Sequence, residues 1–314
     1  MCCFSQSVIS VRNTQIFARL SGRGTQFLAY QMNYESRGEN AIILPLPVKQ
    51  PANDKSLQFI DLSHYDSLFD DLADGFPFRA PASIGCSSSV DSATSKSLQV
   101  FEVGNYIASF VPTIHDFDRL DPKFTLPKDV WDQIPGYESF GFAVFQLAAG
   151  SLKPHPMALE FQSDRDELFF PTVHIHDGEL HESEDFDHIL YMQHAGLDSR
   201  VYGYQNAHVK DKSTGLERSK FPMVRFVKVE ESKGLVDGDL LLHRTILRGR
   251  LPNVDTVFSV YGDPVRPTFN FRPLLPYAPW LIILAALGWI FSRRAALKLL
   301  RESSLTQPDN NLAR

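Results

Sequence analysis

Six of the ten histidines of this 314-residue chain lie between His174 and His208, and five of those fall between His174 and His194. The run His174-Ile175-His176-Asp177-Gly178 is the best local candidate for chemistry. If Leu168 to His176 is a strand, positions 174 and 176 project from one face, with Ile175 behind them. A turn at Asp177-Gly178 would carry His181 or Glu182 back toward that face, and His188 lies on the next apolar run with Ile189 and Tyr191. Imidazoles placed this way bind transition metals, zinc or copper above all, and zinc takes four ligands in a tetrahedral shell. Asp177, Glu182, Asp185 and Asp187 offer oxygen ligands, or acceptors that hold an imidazole in one tautomer. The spacing is neither a zinc finger nor His-Glu-x-x-His, because His181-Glu182 leads to Asp185. A solvated sheet face shows the same alternation without binding anything. Softer donors stand near: His155 with Met157, and Met192 with His194. Thioethers favour copper(I), although methionine more often fills a core.

The chain opens Met1-Cys2-Cys3-Phe4. Removal of Met1 would place a free amine, of pKa ~8, and a thiol on the single residue Cys2. The amine then acts as base for its own thiol, the logic of an N-terminal nucleophile. The same amine with the Cys2 and Cys3 thiolates also makes a compact soft-metal chelate. Inert or lipid-modified thiols are the plainer alternative. With Phe17-Ala18-Arg19 following the first strand pair, this opening resembles the choloylglycine-type N-terminal nucleophile hydrolases. That resemblance implies an amide hydrolase with Cys2 as nucleophile, Arg19 assisting it, and an αββα layering. The likeness stops at Gly22, where the family has an aspartate.

The elements that must position these groups read mostly as strands. The first 48 residues form a meander: Ser7 to Val11, a turn at Arg12-Asn13, Thr14 to Leu20, a hairpin at Ser21-Gly22-Arg23-Gly24, then Thr25 to Tyr34. Asn40 to Val48 is near-continuously apolar, but Pro45 and Pro47 should put it at an edge or end it at Leu44. Short helices are expected at Tyr65 to Leu72, capped by Ser63, and at Pro127 to Ile134. Further strands are expected at Leu98 to Val103, Tyr106 to Val111, Phe140 to Leu147, Pro156 to Phe161 and Leu168 to His176. His188 to Met192, Met223 to Val229, Leu240 to Leu247 and Thr256 to Tyr261 complete the set. Gly75 to Ser97, rich in proline and serine, reads as a long loop open to proteolysis that could join two lobes. The fold class is therefore α+β: a mainly antiparallel β body with few short helices, plus a C-terminal hydrophobic helix.

Composition agrees. The 24 phenylalanines and 10 tyrosines favour sheet, and 43% apolar content supplies a large core. With 31 basic against 37 acidic side chains and no basic patch with interleaved aromatics in the body, nothing suggests nucleic acid. Three cysteines make no disulfide framework, and no secretion signal precedes them, so a reducing compartment is expected.

Residues 1–272 would form the β-rich body, 273–291 a hydrophobic helix, and 292–314 a basic helix with a polar tail. Leu274 to Phe291 carries no charge. As a helix its eighteen residues span about 27 Å, close to the ~20 residues a bilayer core needs. Trp280 and Trp289 suit interfaces, and Arg293, Arg294, Lys298 and Arg301 make the following stretch basic. Lacking a leader, the body is expected on the cytoplasmic side, whereas the basic flank calls for a cytoplasmic tail; a shallow insertion meets both. The partner is then a bilayer, a membrane protein, or a further copy of this chain. Three functions compete: a membrane-associated transition-metal-binding protein, an amide hydrolase using Cys2, and a non-catalytic subunit or scaffold of a membrane complex. Deleting residues 276–314 should leave a folded body that no longer sediments with membranes or holds its partner. A truncated chain that unfolds would show the stretch to be a core helix.

Overall fold

The protein is described by a computed structural model covering residues 3–76, 100–104, 106–134, 136–200 and 215–260. The chain divides into a unit of Met1–Arg266 and a unit of Pro267–Arg314. The second unit, with the expected helices at 274–291 and 292–300, lies outside the described residues, as do Cys2 and most of the loop 75–97. Among the described residues no helix is long and apolar enough to cross a membrane.

The first strands are β1 (Cys3–Phe4), β2 (Ser10–Leu20), β3 (Thr25–Ser36), β4 (Asn40–Leu46) and β5 (Leu57–Asp61), followed by helix α1 (Leu68–Asp74). Next come β6 (Val100–Val103), β7 (Tyr106–Val111), α2 (Lys128–Trp131), β8 (Gly141–Leu147), β9 (Gly150–Leu152) and β10 (Met157–Gln162). The described chain closes with β11 (Glu167–Phe170), β12 (Ser183–Gln193), α3 (Ala195–Arg200), β13 (Glu217–Arg218), β14 (His243–Pro252) and β15 (Thr256–Ser259). The body is therefore a β-rich α+β fold with few, short helices.

Among the described residues β1-β4-β8-β7-β6 make one sheet, and β13-β14-β12-β2-β3-β10-β5 make a larger one, with β9 on β3. β11 and β15 form a separate ribbon. Pairing is antiparallel except between β12 and β2, which run parallel from Ile189↔Gln15 to Gln193↔Arg19. The two large sheets stack. Ile42, Leu44, Phe110 and Phe145 of the first meet Ile16, Leu28, Tyr30 and Leu190 of the second in one buried cluster. Each outer face carries its own cover. Ile114, Phe117 and Trp131 lie over Phe142 and Val144, while Leu68, Phe69, Met223 and Leu235 lie over Phe17, Ala29 and Tyr191. The covers are built of 3-10 turns and short helices, the longest described helix having seven residues.

Several expected boundaries moved for local physical reasons. The turn expected at Arg12-Asn13 is a bulge inside the continuous strand β2, where the register with β3 shifts between Arg12 and Gln15. Asn13 takes φ 53°, a left-handed conformation that asparagine tolerates better than most residues. Its N–H donates to Asp187 Oδ2 at 2.6 Å. Pro45 stays within β4, paired with Phe142. On the other side β1 reaches only Ile42 and Ile43, so β4 is an edge at Pro45, as its missing donor requires. Met223 to Val229 is not a strand: a 3-10 turn at Met223–Arg225 folds that apolar run over the larger sheet.

Candidate functional site

The strand expected from Leu168 to His176 ends at Phe170, because Pro171 has no N–H to continue a ladder. The following residues are nevertheless buried, so their backbone groups need other partners. Side chains supply them. Asp255 Oδ1 accepts from the N–H of Thr172 at 2.9 Å and of Val173 at 3.2 Å. Asn253 Oδ1 accepts from His174 N–H at 2.7 Å, while its Nδ2 donates to the carbonyls of His174 at 2.9 Å and His181 at 3.0 Å. Phe4 N–H donates to Ile175 O at 3.0 Å and Val8 N–H to His176 O at 3.2 Å.

This clamped segment puts His174 against His188 of β12. Their Nε2 atoms are 3.3 Å apart and both residues are fully buried. The rings are nearly parallel, with centroids 5.0 Å apart, and His176 also stacks on His174 at 5.2 Å. Phe186 packs at 4.3 Å from His174 and 5.0 Å from His188; Phe4 meets His176 at 6.1 Å. His176 is half-buried, so the stack runs from the surface inward. Burial drives the His174 pKa far below the usual imidazole range and lowers that of His176 to about 4. Both are neutral at pH 7 and keep a lone pair. Of the two Nε2 atoms in contact, one donates and the other accepts. His188 Nδ1 and His176 Nε2 have no hydrogen-bond partner among the described residues, and the Asp187 carboxylate lies 4.0 Å from His188 Nδ1.

The remaining sequence candidates go elsewhere. His181 is exposed and bonds Asp177 Oδ2 at 3.0 Å, which raises its pKa. Cys3 is buried beside Ile175 in the cluster behind the smaller sheet. Cys2 lies outside the described residues. Arg19 spends its guanidinium on backbone: Nε donates to Leu235 O at 2.8 Å and Nη2 to Gly234 O, with the Phe27 ring 4.1 Å away. Met157 and Met192 are core residues. His155 packs on Tyr106 at 4.2 Å, and His194 Nδ1 accepts from Gly196 N–H. Among the described residues no three His, Cys, Asp or Glu side chains converge on one point.

Sequence reasoning passed over Asn253 and Asp255, and also a second buried histidine with a carboxylate. His243 Nε2 lies 2.7 Å from Asp198 Oδ1, whose other oxygen accepts from Leu241 N–H at 3.1 Å. Their separation of 45 residues leaves no local spacing to read.

No protein-family model matches the sequence. Similar solved structures include baculovirus P35, at TM-score 0.43 and 11% identity over 83% of this chain and 100% of that one. A mutated baculovirus P35 after caspase cleavage gives TM-score 0.40 and 11% identity, over 78% of this chain and 98% of the other. P35 in its complex with caspase-8 gives 0.40 and 11%, over 79% and 95%.

The clamp carries a pH signature. Enclosure pushes the Asp255 carboxyl up to about 6, against the Tyr137 hydroxyl at 2.6 Å and the two N–H donors that favour its charge. A carboxyl whose pKa is raised on folding binds its proton more tightly in the native state. Its contribution to stability is therefore greatest below about pH 4 and is lost as pH rises to about 6. Asp255→Asn keeps an acceptor for both N–H groups and should remove that slope. Relative to wild type, the variant's urea stability should rise by on the order of 1 to 3 kcal/mol between those pH values. Parallel curves for the two proteins would show that Asp255 is not held this way.

Proposed function

We propose that this chain is a transition-metal-binding protein, held at a membrane or membrane-protein partner by residues 274–291, whose metal site is built on His174 and His188. The observation that carries this reading is the 3.3 Å between two buried Nε2 atoms. In a tetrahedral shell with Zn–N of 2.0 to 2.1 Å, neighbouring ligand nitrogens stand about 3.3 to 3.4 Å apart. The pair thus matches one edge of a zinc shell without backbone movement. His176 is the third ligand. Its Nε2 bonds nothing among the described residues, so turning the half-buried ring toward the pair breaks no hydrogen bond. The phenyl rings of Phe4 and Phe186 lie against these imidazoles, and three histidine ligands would leave the fourth position of the tetrahedral shell open. The test is zinc content after purification and dialysis. One zinc per chain is expected, and it should be lost in His188→Gln and His174→Gln while the circular dichroism spectrum is kept. A metal-free wild type that takes up no zinc on titration, or folded variants that retain it, would overturn the reading.

A second reading concerns an aspartate-directed endopeptidase of the caspase class, either cutting this chain or held by it. It rests on Asp71-Leu72-Ala73-Asp74-Gly75, where Asp74 is exposed at the end of α1 and a glycine follows. The loop 75–97, which the sequence marks for proteolysis, begins there. Gly75 and Phe76 are buried, a Cβ on Gly75 meeting the Phe226 ring at 2.8 Å, so the last turn of α1 must open first. Incubation with caspase-8 should yield either a stable complex or a fragment ending at Asp74, abolished in Asp74→Ala. An intact mass with no complex would exclude it.

A further inference from the structure

The larger sheet has an edge that is covered at one end and open along the rest. β14 pairs with β12 along its whole length, from His243↔Met192 to Pro252↔Ser183. On its other side β13 covers only His243 and Arg244. Just before that cover, the Leu242 carbonyl accepts from Ser219 N–H at 2.7 Å, and Leu242 N–H donates to Ser219 Oγ at 2.9 Å. The backbone groups of Leu242 thus point to the β13 side, and the two-residue period turns those of Arg244, Ile246 and Arg248 the same way. Among the described residues no strand meets Ile246 or Arg248 there. Gly249, at φ 82°, bends the edge, and Pro252 ends it.

The side chains show what kind of strand would fit. Ile246 lies opposite Ile189 of the outer-layer cluster, whereas Leu247 packs on the cluster between the sheets. Alternation then puts Arg244, Arg248 and Arg250 on the outer face. β13 answers Arg244 with Glu217, its cross-strand neighbour, whose carboxylate lies 2.7 Å from Arg244 Nε. Arg248 and Arg250 repeat that position and are exposed. On β12, Asp187 stands opposite Arg248 but turns Oδ2 to the Asn13 N–H, and Arg250 Nε donates to Ser183 Oγ at 3.0 Å.

We propose that the β14 edge from Thr245 to Leu251 docks an extended acidic segment of a partner protein. That segment adds to the sheet as a strand antiparallel to β14 and sets carboxylates opposite Arg248 and Arg250. The Glu217–Arg244 pair is its template within the fold. In strand addition the main chain supplies the hydrogen bonds and alternate side chains supply the choice of sequence. A second copy of this chain is the poorer occupant. Two β14 edges paired about Gly249 would set Arg248 of each copy against Arg250 of the other, and like charges across strands repel. Neither arginine belongs to the histidine stack, so the inference stands apart from the metal reading.

A suitable probe is the rhodamine-labelled peptide acetyl-Thr-Val-Glu-Val-Glu-Val-Thr-amide, followed by fluorescence anisotropy with full-length protein in detergent. Saturable binding is expected. Lysine in place of both glutamates should weaken it about 10-fold, as two cross-strand pairs turned from attractive to repulsive require. The double variant Arg248→Glu, Arg250→Glu should reverse that preference. N-methylation of both glutamates removes the N–H groups that face the edge and should abolish binding, whereas N-methylation of the valines, whose N–H groups face away, should not. No saturable binding, equal affinity for the glutamate and lysine peptides, or undiminished binding of the glutamate-methylated peptide would each overturn the proposal. So would a wild-type dimer that the double variant disperses, because it would give the edge to a second copy. Should the double variant fail to fold, the lysine and methylated peptides decide alone.

Discussion

Everything in this body rests on how residues 168–176 cross its interior. Leu168 and Phe170 enter the cluster between the sheets, while Phe169, Val173 and Ile175 enter the one behind the smaller sheet. A segment buried on both sides has its whole backbone in a dry place, yet only Glu167–Phe170 lies in a ladder, with β15, and beyond it Ile175 makes a single bridge to Cys3. An amide left unpaired there costs about 1 to 3 kcal/mol, so the crossing is possible only if side chains stand in for a missing strand. They do so with the geometry of a ladder. Gln26 accepts from Phe169 N–H at 3.1 Å and donates to its carbonyl at 2.7 Å, and Asn253 treats His174 in the same way. A side-chain amide carries the donor and acceptor of a peptide group, which is why glutamine and asparagine fill these two places.

The histidine stack follows from that crossing. Asn253 and Asp255 sit on the short link between β14 and β15, and β14 is paired with β12 along its whole length. His188 on β12 and the clamp on His174 are therefore parts of one frame, and the 3.3 Å contact is set by strand register. Such a contact favours neutral imidazoles. A proton on either ring would place a charge among Phe186, Phe4 and a second imidazole, with the Asp187 carboxylate 4.0 Å off as its nearest counter-charge. What the frame offers in exchange is neutral imidazole nitrogen at fixed spacing.

Much of this was legible in the sequence, and each miss has its own physical cause. Alternation and glycine-marked turns located β3 and β7 closely, and the second half of β2, because a strand and its hairpin are written in neighbouring residues. The crowding of histidines pointed to His174, His176 and His188, although the strand assumed beneath them stops at Pro171. That proline was the local signal against the strand. Asn253 and Asp255 could not be read in this way, since they lie 72 to 118 residues from the groups they bond. Met223 to Val229 failed differently: a short apolar run covering a sheet face has the same composition as a strand within one.

The resemblance built on the terminal cysteines and Arg19 meets the topology rather than the local sequence. Within the larger sheet β2 has β3 on one side and β12 on the other, so no place remains beside Arg19 for the opening strand. β1 pairs instead with β4 of the smaller sheet. Along β2, Ala18 and Leu20 face the cluster between the sheets, which turns Arg19 to the outer layer, where it holds the carbonyls of Gly234 and Leu235. Along β1, Phe4 faces that same inner cluster and Cys3 the cluster behind its own sheet. Cys3 and Arg19 thus point away from each other, with both sheets between them.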